Sequence, residues 1–342
     1  MWKSRACSPA WRAVTSAGST AAVSSPSPAS TAVSQADVDR ALDAARAINL
    51  PQDREIIHAL PQTYVVDDQD GIKEPIDMSG VRLEVEVHLV TGATTSVRNV
   101  VRSVNRAGLQ VQDIVLEPLA SAEAVLSDEE KELGILLIDL GGGTTDVALF
   151  RDGAVWHTGV LPLGGDHISN DVAVGLRTPT AEAEELKKRH GCALTALVRE
   201  DEVVSVPSVG GRKARELSRQ ILSEIIQPRV EEIFTLVARE LTKAGLEDAA
   251  AAGVVVTGGT SILPGVPELA EQVFDLPVRR GMPTGVGGLS DVVRSPIYST
   301  GVGLALYGAR GRRSGGMAMD EGGVSMTPGP LRRLRDWFSE LF

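Results

Sequence analysis

Apolar residues in the first third of the chain recur at two different spacings. Every second residue of 81–89 is apolar, and this strict alternation predicts a strand with one buried face. In residues 95–107 four valines recur at helical spacing, and Gly108 follows at the C′ position. The change of period therefore predicts a strand followed directly by a helix.

Two further segments complete this region. Residues 38–48 predict a helix that Asp37 caps, and residues 56–66 predict a strand broken by Pro61. A polar loop is predicted between the two strands. Because no residue here forms a catalytic pattern, the small β-α unit is interpreted as a packing or partner module.

The apolar runs further along predict a second, buried sheet. Residues 135–139 are apolar up to the terminal Asp139, which is typical of a buried central strand. Residues 147–150 and 154–161 predict a hairpin, and residues 254–256 predict another buried strand. A short strand is predicted at 114–116, and helices are predicted over residues 118–126, 181–189, 217–226 and 228–243, the last with Pro228 at its first position.

The first 34 residues differ in composition from the rest. They are mainly Ser, Ala, Thr and Pro, and they bury too little apolar surface to offset the entropy of ordering. Residues 1–34 are therefore predicted to be a disordered leader, with a composition loosely like a transit peptide, or an upstream stretch outside the functional fold.

Charge and cysteine usage narrow the functional classes. The net charge of −11 has no long basic run to offset it, which argues against a nucleic-acid partner. Cys7 and Cys192 cannot form a disulfide framework, so a reducing compartment is expected. The histidines show no metal-ligand spacing, and no apolar run reaches the roughly 20 residues of a transmembrane helix.

The candidate chemistry lies at a glycine-rich hairpin. Its residues are Gly141, Gly142, Gly143, Thr144, Thr145 and Asp146, directly after the buried strand. Glycines leave backbone N–H groups open to phosphate oxygens, and the threonine hydroxyls add donors. Asp139 can hold the shell of a Mg²⁺ ion that neutralises a polyphosphate. The pattern favours phosphate binding over an empty hairpin.

A second glycine turn follows residues 254–256. Gly258, Gly259, Thr260 and Ser261 follow that strand, where the backbone can pass close to a flat base or a ribose-phosphate. The two turns resemble the second phosphate loop and the adenosine loop of the actin, sugar kinase and heat-shock chaperone superfamily. That resemblance implies an actin-like (ribonuclease-H-like) α/β fold, with Glu117 as the acid that helps position metal-bound or attacking water. Glu117 and Asp139 are the candidate catalytic residues.

Glu184 and Lys187 stand at i,i+3 on the predicted helix 181–189. They match superfamily positions that contact ribose hydroxyls. An ordinary solvated pair of charges on an exposed helix is the alternative interpretation.

Longer motifs are similar to those of the FtsA family, the bacterial actin homologues that anchor the division ring to the membrane. The motifs begin at Ser79, Glu117, Val206 and Gly287. The likeness covers about residues 36–308 and the C-terminal helix. It implies an inserted assembly subdomain at 35–112, a first-lobe remnant at 113–134, a second-lobe core at 135–180 and 250–308, a helical subdomain at 181–249, a linker at 309–330 and a membrane helix at 331–342.

The resemblance also implies cofactors, partners and a location. ATP and Mg²⁺ are the expected cofactors, and the helical subdomain is expected to take the C-terminal tail of FtsZ. Arg229 and Glu232 are the candidate residues for that tail. Self-association into filaments, other divisome proteins, anionic lipid and the cytoplasmic face of the inner membrane at the division site complete the expected setting.

One part of the superfamily pattern has no counterpart in residues 1–50. The first phosphate loop, an Asp-x-Gly turn, is expected there, so the first lobe is predicted to be incomplete. Either the start was lost or the cleft has one wall, and a truncated form unable to bind ATP is one alternative. A sugar kinase or a chaperone-type ATPase of the same superfamily is another. The favoured interpretation is a nucleotide-binding scaffold with at most weak ATPase activity.

The last twelve residues predict an amphipathic helix. Its apolar face carries Leu331, Leu334, Trp337, Phe338, Leu341 and Phe342, and three arginines stand on the other face. At about 18 Å it is too short to cross a bilayer. Aromatic anchors opposite arginines indicate a helix that lies in the plane of an anionic membrane, with docking on its own domain as the alternative.

Overall fold

The computed structural model describes residues 16–24, 32–208, 213–287 and 290–314. The chain divides into two compact units, Met1–Leu306 and Tyr307–Phe342. The first unit contains both larger sheets and every candidate residue from Glu117 to Ser261. The predicted membrane helix at 331–342 lies outside the described residues.

Strands and helices are numbered in chain order. The strands are β1 (Ser16–Ser24), β2 (Arg54–Val66), β3 (Gln69–Ile72), β4 (Arg82–Ala93), β5 (Ile135–Leu140), β6 (Thr145–Arg151), β7 (Ala154–Leu161), β8 (Val203–Val206), β9 (Arg215–Ser218), β10 (Val254–Thr257) and β11 (Val278–Arg280). The helices are α1 (Gln35–Arg46), α2 (Thr94–Arg106), α3 (Glu117–Val125), α4 (Asp128–Leu133), α5 (Gly165–Leu176), α6 (Thr180–His190), α7 (Arg219–Ala244), α8 (Val266–Phe274), α9 (Ser290–Val293) and α10 (Ser299–Ser314). Short 3₁₀ turns stand at Thr195–Leu197, Gly259–Ile262 and Pro296–Tyr298.

The main sheet has five strands in the order β11-β10-β5-β6-β7. Strand β10 runs parallel to β5 and β11, and β5, β6 and β7 form an antiparallel meander. The β6–β7 turn has positive φ at both Asp152 and Gly153, which the twist of a tight hairpin requires. The predicted buried strands and their hairpin are therefore confirmed.

Strand β5 faces two separate hydrophobic cores. All six of its residues are buried, as the apolar run predicts. Leu136 and Ile138 pack in one core with residues of α5, α6, α7 and α8. Ile135 and Leu137 pack in the other with residues of α3 and with Val302 of α10. Successive side chains of a strand point to opposite faces, so helices cover the sheet on both sides.

The small sheet has four strands in the order β1-β4-β2-β3, and α1 packs on it. Strand β1 pairs antiparallel with β4, from Ser16 opposite Leu89 to Ser24 opposite Arg82. The prediction that residues 1–34 form a disordered or unrelated leader is therefore wrong for Ser16–Ser24. The prediction failed because an edge strand is held by backbone hydrogen bonds. These bonds do not depend on side chains, so a Ser- and Ala-rich composition gives no sign of them.

The start of α1 and the position of α2 also differ from expectation. Ser34 is the N-cap of α1, and Asp37 lies inside the first turn, where its carboxylate accepts the Ser34 N–H at 2.9 Å. In α2 only Val97 is buried, and Val100 is 45% exposed. Among the described residues, the core of the small sheet includes no side chain of α2.

Other boundaries were drawn wrongly from local signals. The predicted helices at 217–226 and 228–243 are one helix, α7, with Pro228 inside it. Ile226 and Val230 flank the proline and are both buried, so tertiary packing outweighs the missing N–H of proline. Residues 114–116 form no strand, β3 lies within the predicted polar loop, and α10 continues to Ser314, into the predicted linker.

The small sheet contacts the main sheet through polar side chains as well as Leu60. Gln62 Nε2 donates to the carbonyl oxygens of Val155 and Trp156 at 2.9 and 3.3 Å. His88 Nε2 lies 3.0 Å from Thr158 Oγ1. These contacts join β2 and β4 to β7 at a largely buried junction, and they make the junction sensitive to protonation.

His88 generates a prediction about stability. Burial, helped by the charge of His157, lowers its pKa to about 4, against 6.5 in an unfolded chain. Between these values the folded state binds fewer protons than the unfolded state, so the free energy of unfolding falls as pH decreases from 6.5 to 4. We expect the His88→Gln variant, which keeps a hydrogen-bonding group and does not titrate, to lose about 3 kcal/mol less than the parent between pH 7 and pH 4.

Chemical denaturation at a series of pH values measures this difference. Gln62→Ala supplies the control, because it removes another contact of the same junction and no titratable group, so its effect on stability should be the same at every pH. Parallel curves for the parent and the His88→Gln variant would show that His88 titrates equally in both states.

Candidate functional site

The two glycine turns meet at one edge of the main sheet. Thr257, the last residue of β10, pairs with Asp139 near the end of β5. Because the strands are parallel, the loops that leave them emerge on the same side. The carboxyl ends of parallel strands are where open α/β sheets bind ligands. The sequence-predicted loops at 141–146 and 258–261 are therefore brought together.

Hydrogen bonds to its carbonyl oxygens hold the glycine hairpin in place. The carbonyl oxygen of Gly141 accepts the Gly165 N–H and the Thr260 hydroxyl, each at 2.9 Å. The carbonyl of Gly142 accepts the Asp166 N–H at 2.7 Å. Within the described part of the chain, the N–H groups of Gly142 and Gly143 have no acceptor. The loop thus presents donors rather than acceptors, as an anion site requires.

Close packing fixes where a side chain is tolerated near this hairpin. A Cβ on Gly164 would lie 2.7 Å from the carbonyl oxygen of Gly142, and one on Gly165 would lie 2.5 Å from Thr260 Oγ1. A Cβ on Gly142 itself would lie 3.5 Å from its nearest neighbour, Asp166 Oδ1, which is an ordinary contact. Gly164 and Gly165 were missed in the sequence, although a Gly-Gly pair before a helical pattern was visible there.

The second turn lies against Asp139. Gly258 has φ of +83°, and a Cβ there would lie 2.3 Å from Asp139 Oδ1 and 2.6 Å from the Leu140 carbonyl oxygen. The Ser261 hydroxyl donates back to the Gly258 carbonyl at 2.7 Å, and Thr260 bridges to Gly141. Backbone and carboxylate therefore touch where β5 and β10 end, which only glycine permits.

The two threonines of the hairpin have different partners. Thr145 is fully buried, and its hydroxyl donates to the Leu163 carbonyl oxygen at 2.8 Å. It therefore anchors the hairpin instead of supplying the phosphate donor expected from the sequence. Thr144 is half-buried and donates to Asp146 Oδ2 at 2.9 Å.

Three carboxylates, those of Glu117, Asp139 and Asp146, cluster beside the hairpin, and each has a raised pKa. Burial raises the pKa of Asp146 to about 7, and the charges of Glu117 and Asp139 add to this. Burial also raises the pKa of Asp139, and burial with the Asp139 charge raises that of Glu117. Such a cluster favours either a shared proton or a nearby cation. Among the described residues, no group of three or more His, Cys, Asp or Glu side chains is arranged to ligate one metal ion directly.

Two hydroxyl groups near the acids were missed by sequence reasoning. Ser121 Oγ donates to Asp139 Oδ2 at 2.6 Å. Thr300 Oγ1 lies 3.4 Å from the same oxygen and 3.5 Å from Glu117 Oε1, so it links two of the acids. Ser121 lies inside the motif that begins at Glu117, but the motif gave its hydroxyl no role. Thr300 is distant in sequence from the acids, so no local signal marks it.

Glu184 and Lys187 form a partly buried ion pair. Lys187 is 6% exposed, and its Nζ lies 2.7 Å from Glu184 Oε2 and 2.8 Å from both Ser169 Oγ and the Gly165 carbonyl oxygen. Burial opposes ionisation of Glu184, but hydrogen bonds from Lys187 and Ser169 outweigh it and lower the pKa of Glu184 to about 2. The interpretation as a solvated surface pair is therefore wrong for Lys187, which fastens α6 to the first turn of α5.

Arg229 and Glu232 lie on α7, where α7 packs against α5. The guanidinium of Arg229 binds both carboxylate oxygens of Asp171, at 2.6 and 3.1 Å, and also contacts Glu232. Arg229 is thus already paired within the chain. No helix in the described part of the chain is long and apolar enough to span a membrane.

A cavity of about 270 Å³ opens beside the acids. Its polar lining is Glu117, Thr144 and Asp146. Its apolar lining comes from the small sheet, from α2, from β7 and from the segment before α3, and comprises Ile57, Val100, Ile114, Val115, Leu116 and Val160. The small sheet therefore contributes a wall next to the acid cluster.

Comparison with known proteins agrees with this arrangement. The family model "Cell division protein FtsA" matches residues 136–303, and the model "SHS2 domain inserted in FTSA" matches residues 12–91. The second match begins upstream of the predicted boundary at 35, in agreement with strand β1. The chain is 53% identical to the cell division protein FtsA of Pseudomonas aeruginosa over 89% of this chain and 74% of that protein. It is 39% identical to the cell division protein FtsA of Escherichia coli K12, over 91% of this chain and 76% of that protein.

Solved structures agree on the fold. The PilM–PilN type IV pilus biogenesis complex aligns with a TM-score of 0.56 at 18% identity, covering 85% of this chain and 76% of the other. MreB5 of Spiroplasma citri bound to ADP aligns with a TM-score of 0.53 at 19% identity, covering 66% of this chain and 69% of the MreB5 chain. The predicted actin-like α/β fold is thereby confirmed.

The close approach at Gly258 generates a prediction about stability. A Gly258→Ala substitution adds the strain of positive φ and also drives a methyl group into Asp139 and Leu140. We expect it to lower the free energy of unfolding by on the order of 3 kcal/mol. Gly108 has φ of +79° with open space around it, so a Gly108→Ala variant should cost only about 1 kcal/mol. Equal losses in urea denaturation would mean that packing against Asp139 contributes nothing.

Proposed function

The chain belongs to the FtsA family of cell-division proteins, and from that premise we propose that it is a nucleotide-binding scaffold that tethers FtsZ filaments to the membrane at the division site. The observation that carries the nucleotide part is the juxtaposition of the hairpin at Gly141–Gly143 with the turn at Gly258–Ser261. A cell-division family supports a scaffold over the sugar kinase and chaperone alternatives.

In the proposed site the polyphosphate of ATP lies against the hairpin. The N–H groups of Gly142 and Gly143 point their dipoles at it, and the Thr144 hydroxyl lies beside them. Thr260 and Asp166 hold the hairpin from behind, so the donors are fixed before the ligand arrives. Preorganised donors bind an anion without a further ordering cost.

The acid cluster fits a Mg²⁺ ion held through water. Carboxylates are ligands that Mg²⁺ accepts, and Mg²⁺ usually keeps several waters beside one or two of them. Asp139 is the proposed holder, with Asp146 and Glu117 near it. When bound, Mg²⁺ would neutralise phosphate charge and favour the ionised form of these acids, against the burial that raises the pKa of Asp139 and Asp146. Glu117 is proposed to position water, and hydrolysis is proposed to be weak at most.

The nucleoside is proposed to lie along α6 and the second glycine turn. Glu184 is ionised and partly exposed, so its carboxylate suits the ribose hydroxyls. Lys187 is buried with three acceptors at its Nζ, so it sets the position of Glu184 and of α5. The base is proposed to lie against the exposed backbone of Gly259, while Gly258 packs on Asp139 behind it and Thr260 and Ser261 close the turn.

Partner binding is proposed from the family. The small sheet is proposed to mediate self-association, and the helical subdomain at 181–249 to take the FtsZ C-terminal tail. An acidic tail that reaches Arg229 would share its guanidinium with Asp171 and Glu232. Other divisome proteins would then join the same scaffold at the cytoplasmic face of the inner membrane.

The first test concerns the hairpin. A Gly142→Val substitution has room inside the fold but fills the space in front of the loop, so it should weaken ATP binding at least about tenfold without changing the unfolding midpoint. Calorimetry of Mg·ATP binding measures this. Gly287 also has open space, and Gly287→Val is the matched control. Equal affinity for the parent and the Gly142→Val variant would remove the hairpin from the site.

The second test concerns the membrane helix. Trp337 and Phe338 are proposed to bury in the headgroup region, where each large apolar side chain contributes roughly 1.5–3 kcal/mol. Changing both to Glu removes two anchors and adds charges that anionic lipid repels, so co-sedimentation with anionic liposomes should collapse. High salt should weaken parent binding only in part, because the apolar contribution is not screened. Unchanged pelleting of the double variant would show that the helix is not the anchor.

A further inference from the structure

Strand β2 carries an irregularity where it passes the acid cluster. Ile56 pairs with Thr91 and His58 pairs with Val90, so Ile57 is an extra residue, a β-bulge. Bulges redirect side chains and recur next to active sites. Here Ile57 lines the cavity beside Glu117, and His58 reaches the segment that precedes α3.

His58 holds the backbone directly before Glu117. Its Nε2 accepts the Leu116 N–H at 3.0 Å. Leu116 is 7% exposed and is the N-cap of α3, so its N–H lies ahead of the helix and needs an acceptor from outside it. The imidazole from the small sheet supplies that acceptor. An unmade bond to a buried N–H would cost the full desolvation of the group.

The contact also fixes the state of the imidazole. Accepting at Nε2 places the ring proton on Nδ1. Burial lowers the pKa of His58 by more than the charge of Asp113 raises it. The lowered pKa favours the neutral ring. The small sheet thereby contacts, through a neutral acceptor, the N-cap of α3, one residue before Glu117.

We propose that His58 is a positioning residue that links the small sheet to the nucleotide site by setting Glu117. A displacement of the small sheet breaks the bond to Leu116 and moves Glu117 away from the other acids. Conversely, a ligand that draws Glu117 toward a cation favours the docked position of the small sheet. The inference rests on the proposed nucleotide function, because it requires that Glu117 face the bound phosphate and its cation.

Variants of the full chain separate positioning from general stability. His58→Leu keeps similar volume and removes the acceptor, and His58→Ala replaces it if the leucine variant does not fold. His58→Gln restores an acceptor oxygen near the Nε2 position. Gln62→Ala is the matched control, because it removes a different bond between the small sheet and the main sheet, to Val155 and Trp156.

Two measurements are compared across these variants. The first is the exchange rate of the Leu116 amide hydrogen without nucleotide, which should rise about tenfold or more in His58→Leu and stay near the parent value in His58→Gln and Gln62→Ala. The second is the ratio of ATP affinity with Mg²⁺ to that with a chelator. We expect this ratio to fall about fivefold in His58→Leu, to be restored in His58→Gln and to be unchanged in Gln62→Ala.

The outcomes distinguish the two proposals. Faster exchange together with an unchanged ratio would overturn the link between His58 and the site, while nucleotide binding would stand. Equal affinity losses with and without Mg²⁺ would also overturn it, since they indicate a purely structural role. If the parent bound no ATP under either condition, the nucleotide function and the link would both fall, even if Leu116 exchange still changed.

Discussion

The register between β5 and β10 is the constraint on which the site depends. It places Asp139 opposite Thr257, so that the hairpin after β5 and the turn after β10 start at the same height. Because side chains alternate along a strand, a slip by one residue would turn Asp139 to the other face of the sheet. The lack of a side chain at Gly258 then allows the two loops to touch. Thr260 and Gly165 bond to Gly141, and Thr300 lies near Asp139, so these parts of the site connect to the ends of β5 and β10.

A chain of hydrogen bonds carries the junction outward to the helices. Gly141 accepts from Gly165 and Thr260, and the Gly165 carbonyl in turn accepts from Lys187, which is paired with Glu184. Thr260, Gly165 and Lys187 are buried, so the loss of one of these bonds would leave a buried polar group without its partner. The arrangement explains why a lysine is tolerated at 6% exposure, and its hydrogen bonds connect residues of four separate segments.

The sequence predicted the strand and the loop of the site correctly, because apolar runs and glycine clusters each point to one kind of local structure. An apolar run ending in Asp139, followed by three glycines, predicts a buried strand and an open loop, and both were found. Thr300 could not be predicted, because its role follows from partners far along the chain, and the motif that contains Ser121 does not show that its hydroxyl bonds to Asp139. Pro228 led to a wrong helix boundary, because proline usually begins a helix, whereas here the burial of Ile226 and Val230 keeps α7 continuous through it. Strand β1 was missed because backbone pairing leaves little trace in composition.

The double burial of β5 has a consequence for how the protein comes apart. Its alternate residues belong to two cores, and removing the helices from either side would expose half of a strand that is buried along its whole length. The two layers are therefore coupled thermodynamically, and neither can melt alone without a large gain in exposed apolar area. Because both glycine loops hang from β5 and its neighbour β10, they are lost in the same cooperative step. Unfolding that destroys one loop should therefore cost nearly as much free energy as unfolding that destroys both.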